Sequence, residues 1–285
     1  MDNIRIVLVR THSSGNIGST ARAMKTMGLK HLSLVAPRLF PDQDATKMAT
    51  RGAAKTVLNG ATVVDSLYDA VQDCDLVIAC AARSRSFDLP VLLPERAAEL
   101  LYSTANNRTT STTMDVGDSS LAPSASANVA LVFGPERDGL SSADMELAQY
   151  RVSIPAHPDN MSLNLASAVQ ILSYELRKYH IQNHNDIDDL DREQEPQISN
   201  NNSSSSSSHN NKLPTIAQRE GFYDVLASVL TKSGFAHADD PRQLMPKMRH
   251  LLARAEPDLD ELNLLRGALA KIQRHLPKND DSNDQ

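Results

Sequence analysis

Tryptophan is absent, and the aromatic complement is six tyrosines and five phenylalanines in 285 residues. A platform for single-stranded nucleic acid built on stacked rings is poorly supported by so few of them. The two cysteines, Cys74 and Cys80, exclude a disulfide framework and a cysteine-rich zinc site. They fall in or beside one apolar run and read as small buried side chains. No Cys/His pair has finger spacing, and neither H-E-x-x-H nor G-x-S-x-G occurs, so no metal is expected and a serine triad has little support. No apolar stretch approaches the ~18 residues a membrane span requires. Met1-Asp2-Asn3-Ile4-Arg5 opens directly into a strand pattern without the basic start of a secretory signal, so a soluble, cytoplasmic protein without a membrane partner is expected. A basic surplus is lacking too: 29 Lys and Arg against 35 Asp and Glu leave a net charge of −6. That total counts against a nucleic-acid partner. Its distribution does not, because residues 1–180 carry 17 basic and 18 acidic side chains, 181–211 carry one and six, and 212–285 carry 11 and 11. The acidity belongs mostly to one segment, and the remainder is close to neutral.

What is present is a 40% apolar, 22% charged chain, enough for a core, with room for one large domain or two modest ones. Short β-branched runs alternate with helical patterns through residue 180. Strands are expected at 4–9, 31–35, 75–80, 129–133 and 151–154, and helices at 17–27, 67–71, 94–101 and 163–179. That alternation implies an α/β fold with a mostly parallel sheet flanked by helices. Residues 103–127, rich in Ser, Thr, Asn and Ala, read as a surface insertion. Residues 181–212, with six acids and the run Ser203 to Ser208, read as an acidic, low-complexity linker. A small helical domain is expected over 213–276, with Pro246 in a first helical turn, and a polar tail over 277–285.

In open α/β sheets ligands sit at the carboxyl ends of strands, so the post-strand loops hold the candidates. After the first strand comes Gly15-Asn16-Ile17-Gly18-Ser19-Thr20-Ala21-Arg22, a glycine-containing entry into a helix. It fits neither G-x-G-x-x-G nor a Walker loop, which removes the basis for a dinucleotide-dependent oxidoreductase. Asn16 could cap that helix, and Arg22 could be a solvated surface residue. Gly134 follows a buried strand, where a missing side chain lets a ligand approach the backbone, with Glu136 beside the opening. The segment Ile154-Pro155 to Met161-Ser162-Leu163-Asn164 leads into the long helix, where ordinary capping would also explain Ser162 and Asn164. Arg83 and Arg85 follow another strand and could hold a phosphate or be merely solvated.

In order and spacing these segments resemble the motifs of the SPOUT (SpoU) superfamily of RNA 2′-O-ribose methyltransferases. Asn16-x-Gly18 with Arg22 is similar to the first motif, Leu131 to Leu140 to the second, and Ile154-Pro155 through Ser162-Leu163-Asn164-Leu165-Ala166 to the third. Glu261-Leu262-Asn263-Leu264-Leu265-Arg266-Gly267 resembles the C-terminal part of the TrmJ group within that superfamily. The resemblance implies a C-terminal trefoil knot, a homodimer, S-adenosylmethionine as cofactor and tRNA as partner. It implies methylation of the ribose of cytidine or uridine at position 32 of the anticodon loop. It places Cys80, Ala81, Ala82, Gly134, Ile154, Met161, Ser162 and Leu163 around the cofactor and gives Arg22, Ser162 and Asn164 catalytic roles. Asn16, Arg83, Arg85 and Glu136 would serve the substrate. Cys80-Ala81-Ala82-Arg83 stands where relatives often have Thr-Ser-Ala-Arg, and Met161 where a Ser is common. These departures leave room for a catalytically silent RNA-binding protein of the same fold.

Overall fold

The computed structural model describes residues 1–49, 54–82, 89–106, 127–159, 162–184, 212–236 and 241–276. Seven strands form one sheet: β1 (Ile4–Val9), β2 (His31–Val35), β3 (Thr62–Val64), β4 (Leu76–Cys80), β5 (Val91–Leu92), β6 (Val129–Phe133) and β7 (Tyr150–Val152). Their order is β3-β2-β1-β6-β4-β7-β5, and every pairing is parallel. The expected α/β class and parallel sheet are therefore observed. Ile6 aligns with Leu32 on one side and Leu131 on the other, and Leu131 aligns with Ile78. The central strands read as nearly continuous apolar runs because helices cover both faces. Ile4, Ile6, Leu8, Ile78, Leu131 and Phe133 point to a core shared with α1 (Ser14–Thr26), α5 (Pro94–Asn106) and α7 (Leu165–His184). Val7, Val9, Val77, Ala79, Ala130 and Val132 face the other way, toward α4 (Leu67–Val71) and α6 (Ser142–Glu146). This is the period-2 alternation of a strand.

Several elements differ from expectation. Helix α1 begins at Ser14, three residues before Ile17, with Ser13 rather than Asn16 at the cap position. Gly15 and Gly18 are thus helical. A Cβ on Gly18 would lie 2.1 Å from the Ala45 carbonyl oxygen, so its bareness lets α1 pack closely on α2 (Gln43–Met48). Helix α5 continues to Asn106, so the predicted 103–127 insertion begins as helix, and 107–126 lie outside the described residues. The short α2 and α3 (Ala54–Asn59) and the two- and three-residue β5 and β3 carry too few residues for a periodic signal.

Of the acidic segment, 185–211 lie outside the described residues, as does the tail beyond 276. Helices α8 (Ile216–Lys232), α9 (Pro241–Ala255) and α10 (Leu259–His275) follow. Pro246 falls inside α9, not in its first turn, because the helix starts five residues earlier. Phe222, Tyr223, Leu226 and Leu262 form a separate small core. The start of α8 is tied to the sheet: Ile216 N–H donates to the Cys74 carbonyl (3.0 Å) and Ala217 N–H to that of Gln72 (3.1 Å).

Candidate active site

Seven parallel strands place their carboxyl ends on one edge, so the loops after β1, β4, β6 and β7 converge there. Glu136, three residues after β6, reaches the loop after β1. Its Oε2 accepts from His12 N–H (3.0 Å), and its Oε1 accepts from Ser13 N–H (3.1 Å) and from Asn16 Nδ2 (2.8 Å). Partial burial would raise this carboxyl, but the donors from Asn16, His12 and Ser13 outweigh it and hold it below its usual range. Asn16 Oδ1 in turn accepts from Asn164 Nδ2 (3.1 Å). Asn164 Oδ1 accepts from Ala166 N–H (2.9 Å) and caps α7. One hydrogen-bonded chain, Glu136–Asn16–Asn164, therefore joins the β6 loop, the first turn of α1 and the cap of α7, positions up to 148 residues apart in sequence.

The other candidates fall around it. Arg22 stands exposed on α1, with no ion pair among the described residues. Gly134 has a reason internal to the loop: a Cβ there would sit 2.4 Å from the Leu140 backbone nitrogen, so the β6 loop folds back on itself over that position. Cys80 ends β4, half-buried, and burial pushes its thiol up to about 12. Ala81 N–H donates to the Val152 carbonyl (3.1 Å), and the Ala81 carbonyl accepts from Arg151 Nη1 (2.9 Å), fixing the β4 exit against β7. Ile154 is half-buried, while Ala82, Ser162 and Leu163 are exposed, Leu163 by 42%. Arg83, Arg85 and Met161 lie outside the described residues.

Two groups at this edge escaped the sequence reading. Arg10, the first residue after β1, adopts φ 49° and pairs with Asp144 of α6, the Nη1–Oδ1 distance being 3.3 Å. Burial would raise the Asp144 carboxyl, but hydrogen bonds from Arg10 and Ser141 hold it low. The Ser-x-x-Asp spacing of Ser141 and Asp144 is a readable capping box, and it is present at α6. The second group is Arg38, whose guanidinium meets the His12 ring. No local pattern marks a contact 26 residues apart. Among the described residues no group of three or more His, Cys, Asp or Glu could hold a metal, and no helix is long and apolar enough to cross a membrane.

A parallel sheet with its polar loops interlocked at the carboxyl edge defines an α/β protein of the strand-end-site class. Residues 3–174 match the SpoU rRNA Methylase family, and 217–281 match the TrmJ C-terminal domain of tRNA methyltransferases. The chain belongs to the SpoU methylase family and, within it, to the TrmJ group. The tRNA (cytidine/uridine-2′-O-)-methyltransferase TrmJ of Yersinia pestis (strain Pestoides F) is 41% identical over 96% of this chain and 93% of its own. The enzyme of that name from Pectobacterium atrosepticum is 40% identical over 96% and 98%. Among solved structures, TrmJ from Z. mobilis ZM4 superposes with a TM-score of 0.68 at 29% identity, covering 94% of this chain and 98% of that one.

Proposed function

We propose that this chain is an S-adenosylmethionine-dependent tRNA methyltransferase acting on the ribose 2′-hydroxyl of cytidine or uridine at position 32 of the anticodon loop. The observation that carries the reading is the Glu136–Asn16–Asn164 chain, which gathers all three motif segments at one strand edge. The enzymes it resembles over nearly its whole length carry tRNA cytidine/uridine 2′-O-methylation in their names.

The residues at the β4 and β7 ends suit such a cofactor. Cys80, Ala81, Ile154 and the exposed Leu163 offer apolar surface for an adenine ring, with Ala82, Gly134 and Ser162 beside them; Met161 is assigned to the cofactor by the family resemblance alone. A thiolate beside a sulfonium would itself be alkylated, because the thiolate is the nucleophilic form. With its thiol at about 12, Cys80 stays protonated and inert at neutral pH. When bound, S-adenosylmethionine supplies an already electrophilic methyl group. The chain's own task is to align the 2′-oxygen and dispose of its proton. Arg22, exposed and without a carboxylate partner among the described residues, can hold a nucleotide phosphate bidentately. A guanidinium stays protonated at neutral pH, so orientation is its principal contribution. The Ser162 hydroxyl, and on the family resemblance Arg83 and Arg85, would position ribose and phosphate. Asn164 acts by fixing the start of α7 against Asn16. The reading includes a homodimer whose partner completes the Arg22 site, a trefoil knot in the C-terminal half of a 1–180 catalytic domain, and a helical domain over 213–276.

Incubation with labelled S-adenosylmethionine and unmodified tRNA tests it. Ribose methylation at position 32 is expected, and a folded protein that transfers no methyl group would refute the activity. Arg22→Ala should lower turnover by about a hundredfold or more, the range of a positioned group. Calorimetric affinity for S-adenosylmethionine should survive. Loss of that affinity would place Arg22 at the cofactor instead.

A further inference from the structure

We propose that His12 and Arg38 together form a binding point for an RNA phosphodiester at the carboxyl edge of β1 and β2, a role that rests on the tRNA reading above. Adjacent parallel strands leave the sheet by the same turn, Arg10 at φ 49° and Ala36 at φ 42°. The two exits are hydrogen-bonded together, Arg10 N–H to the Val35 carbonyl at 2.8 Å and Arg38 N–H to the Thr11 carbonyl at 3.1 Å. Backbone geometry thus sets Arg38 against His12, with Arg38 Nη1 3.2 Å from His12 Nδ1.

A guanidinium only donates, so Nδ1 must be the acceptor in this contact. The neutral ring then carries its proton on Nε2. The pair consequently presents donors: the remaining guanidinium N–H groups and the imidazole Nε2–H. Both residues are exposed. Two further charged contacts at this edge are already made among the described residues. Arg10 is paired with Asp144, and Glu136 accepts from His12 N–H, Ser13 N–H and Asn16. Arg38 has no carboxylate in ion-pair range among the described residues. A cation and a neutral donor fixed side by side, without an acceptor, fit an anion that offers two oxygens, as a phosphodiester does. His12 also lies one residue before the cap of α1, on the loop that Glu136 holds. A strand gripped there runs beside the proposed methylation site.

The two partners differ in charge, and that makes the proposal specific. Arg38 displaces a counterion from RNA, whereas neutral His12 does not. Equilibrium binding of unmodified tRNA to the full chain, measured from low to moderate salt, reads this out. Arg38→Ala should raise Kd about tenfold and make the log–log salt slope shallower by about one. His12→Ala should weaken binding by several-fold with the slope unchanged. Arg38→Lys should restore the slope but only part of the affinity, since an ammonium lacks the planar fork. Affinity for S-adenosylmethionine, measured on the same preparations, should match the parent in all three. Parental tRNA affinity and slope in Arg38→Ala would overturn the proposal. So would loss of cofactor affinity in Arg38→Ala, which would make the residue a brace for the loop. A parent chain that neither binds nor methylates tRNA would instead overturn the tRNA reading itself.

Discussion

At the scale of the single residue, the candidate site depends on how few atoms hold its loops. Glu136 uses both oxygens on donors from the β1 exit, and its lowered carboxyl keeps it charged through the ordinary pH range. Gly134, two residues earlier, makes that reach possible. An added methyl there would meet backbone, the Leu140 nitrogen at 2.4 Å and the Gly139 carbonyl carbon at 2.5 Å, and no side chain could swing aside. Gly134→Ala should therefore destabilise the protein by about 1–3 kcal/mol, the range for overpacking a closed site. Cofactor affinity should fall with it, because Glu136 is displaced from the β1 loop. Thermal unfolding and calorimetric titration check both parts. An unchanged melting temperature would mean that the loop relaxes without cost.

Among the elements, α9 carries the clearest internal conflict. Pro246 sits in its interior, where it removes one backbone hydrogen bond and crowds the carbonyl four residues earlier. In a helix interior proline is about 3 kcal/mol less favourable than alanine, a difference that already includes the stiffer unfolded chain. Pro246→Ala should accordingly stabilise the protein by up to about 3 kcal/mol, read as a higher denaturation midpoint at unchanged slope. The same residue shows where the amino-acid sequence is hard to read. A proline favours a first turn, and Pro241 had already taken that place. Strands β1, β2, β4 and β6 are legible because burial on both faces demands unbroken apolar runs. The two- and three-residue β5 and β3 owe their existence to neighbouring strands, and no local pattern records that. At α1, Gly15 and Gly18 disguise a helical turn, since glycine disfavours helix unless a close contact requires it, as Gly18 against Ala45 does. Placement of the motif loops after strands was likewise legible. The interlock of Glu136, Asn16 and Asn164 was not, because pairings 120 and 148 residues apart leave no trace in spacing.

For the whole molecule, acid titration should report two opposed sets of carboxylates. Asp73 is held low by Arg5, and Asp144 is held low by Arg10 and Ser141 against the effect of its burial. A carboxylate with a lowered folded pKa adds stability that is complete above its unfolded value of ~4 and is lost as pH falls through the folded value. Asp75 and Glu146 run the other way, raised chiefly by burial. Their contribution is complete below the unfolded value and declines as pH rises through the folded one. Stability should therefore climb from strong acid toward the ordinary carboxylate range, pass a maximum just above it, and ease off toward neutrality. Asp144→Asn isolates the rising limb. The Arg10 side chain is 44% exposed, which screens the pair, so the loss near pH 7 should be about 1 kcal/mol. That loss should shrink toward zero as the parent's own Asp144 becomes protonated. Glu146→Gln isolates the decline and should leave the variant's curve flatter between weak acid and neutral pH. Urea midpoints measured across the acid-to-neutral range separate the two. A constant gap between Asp144→Asn and the parent at every pH would show that the side chain contributes by packing and capping, with no share from its charge.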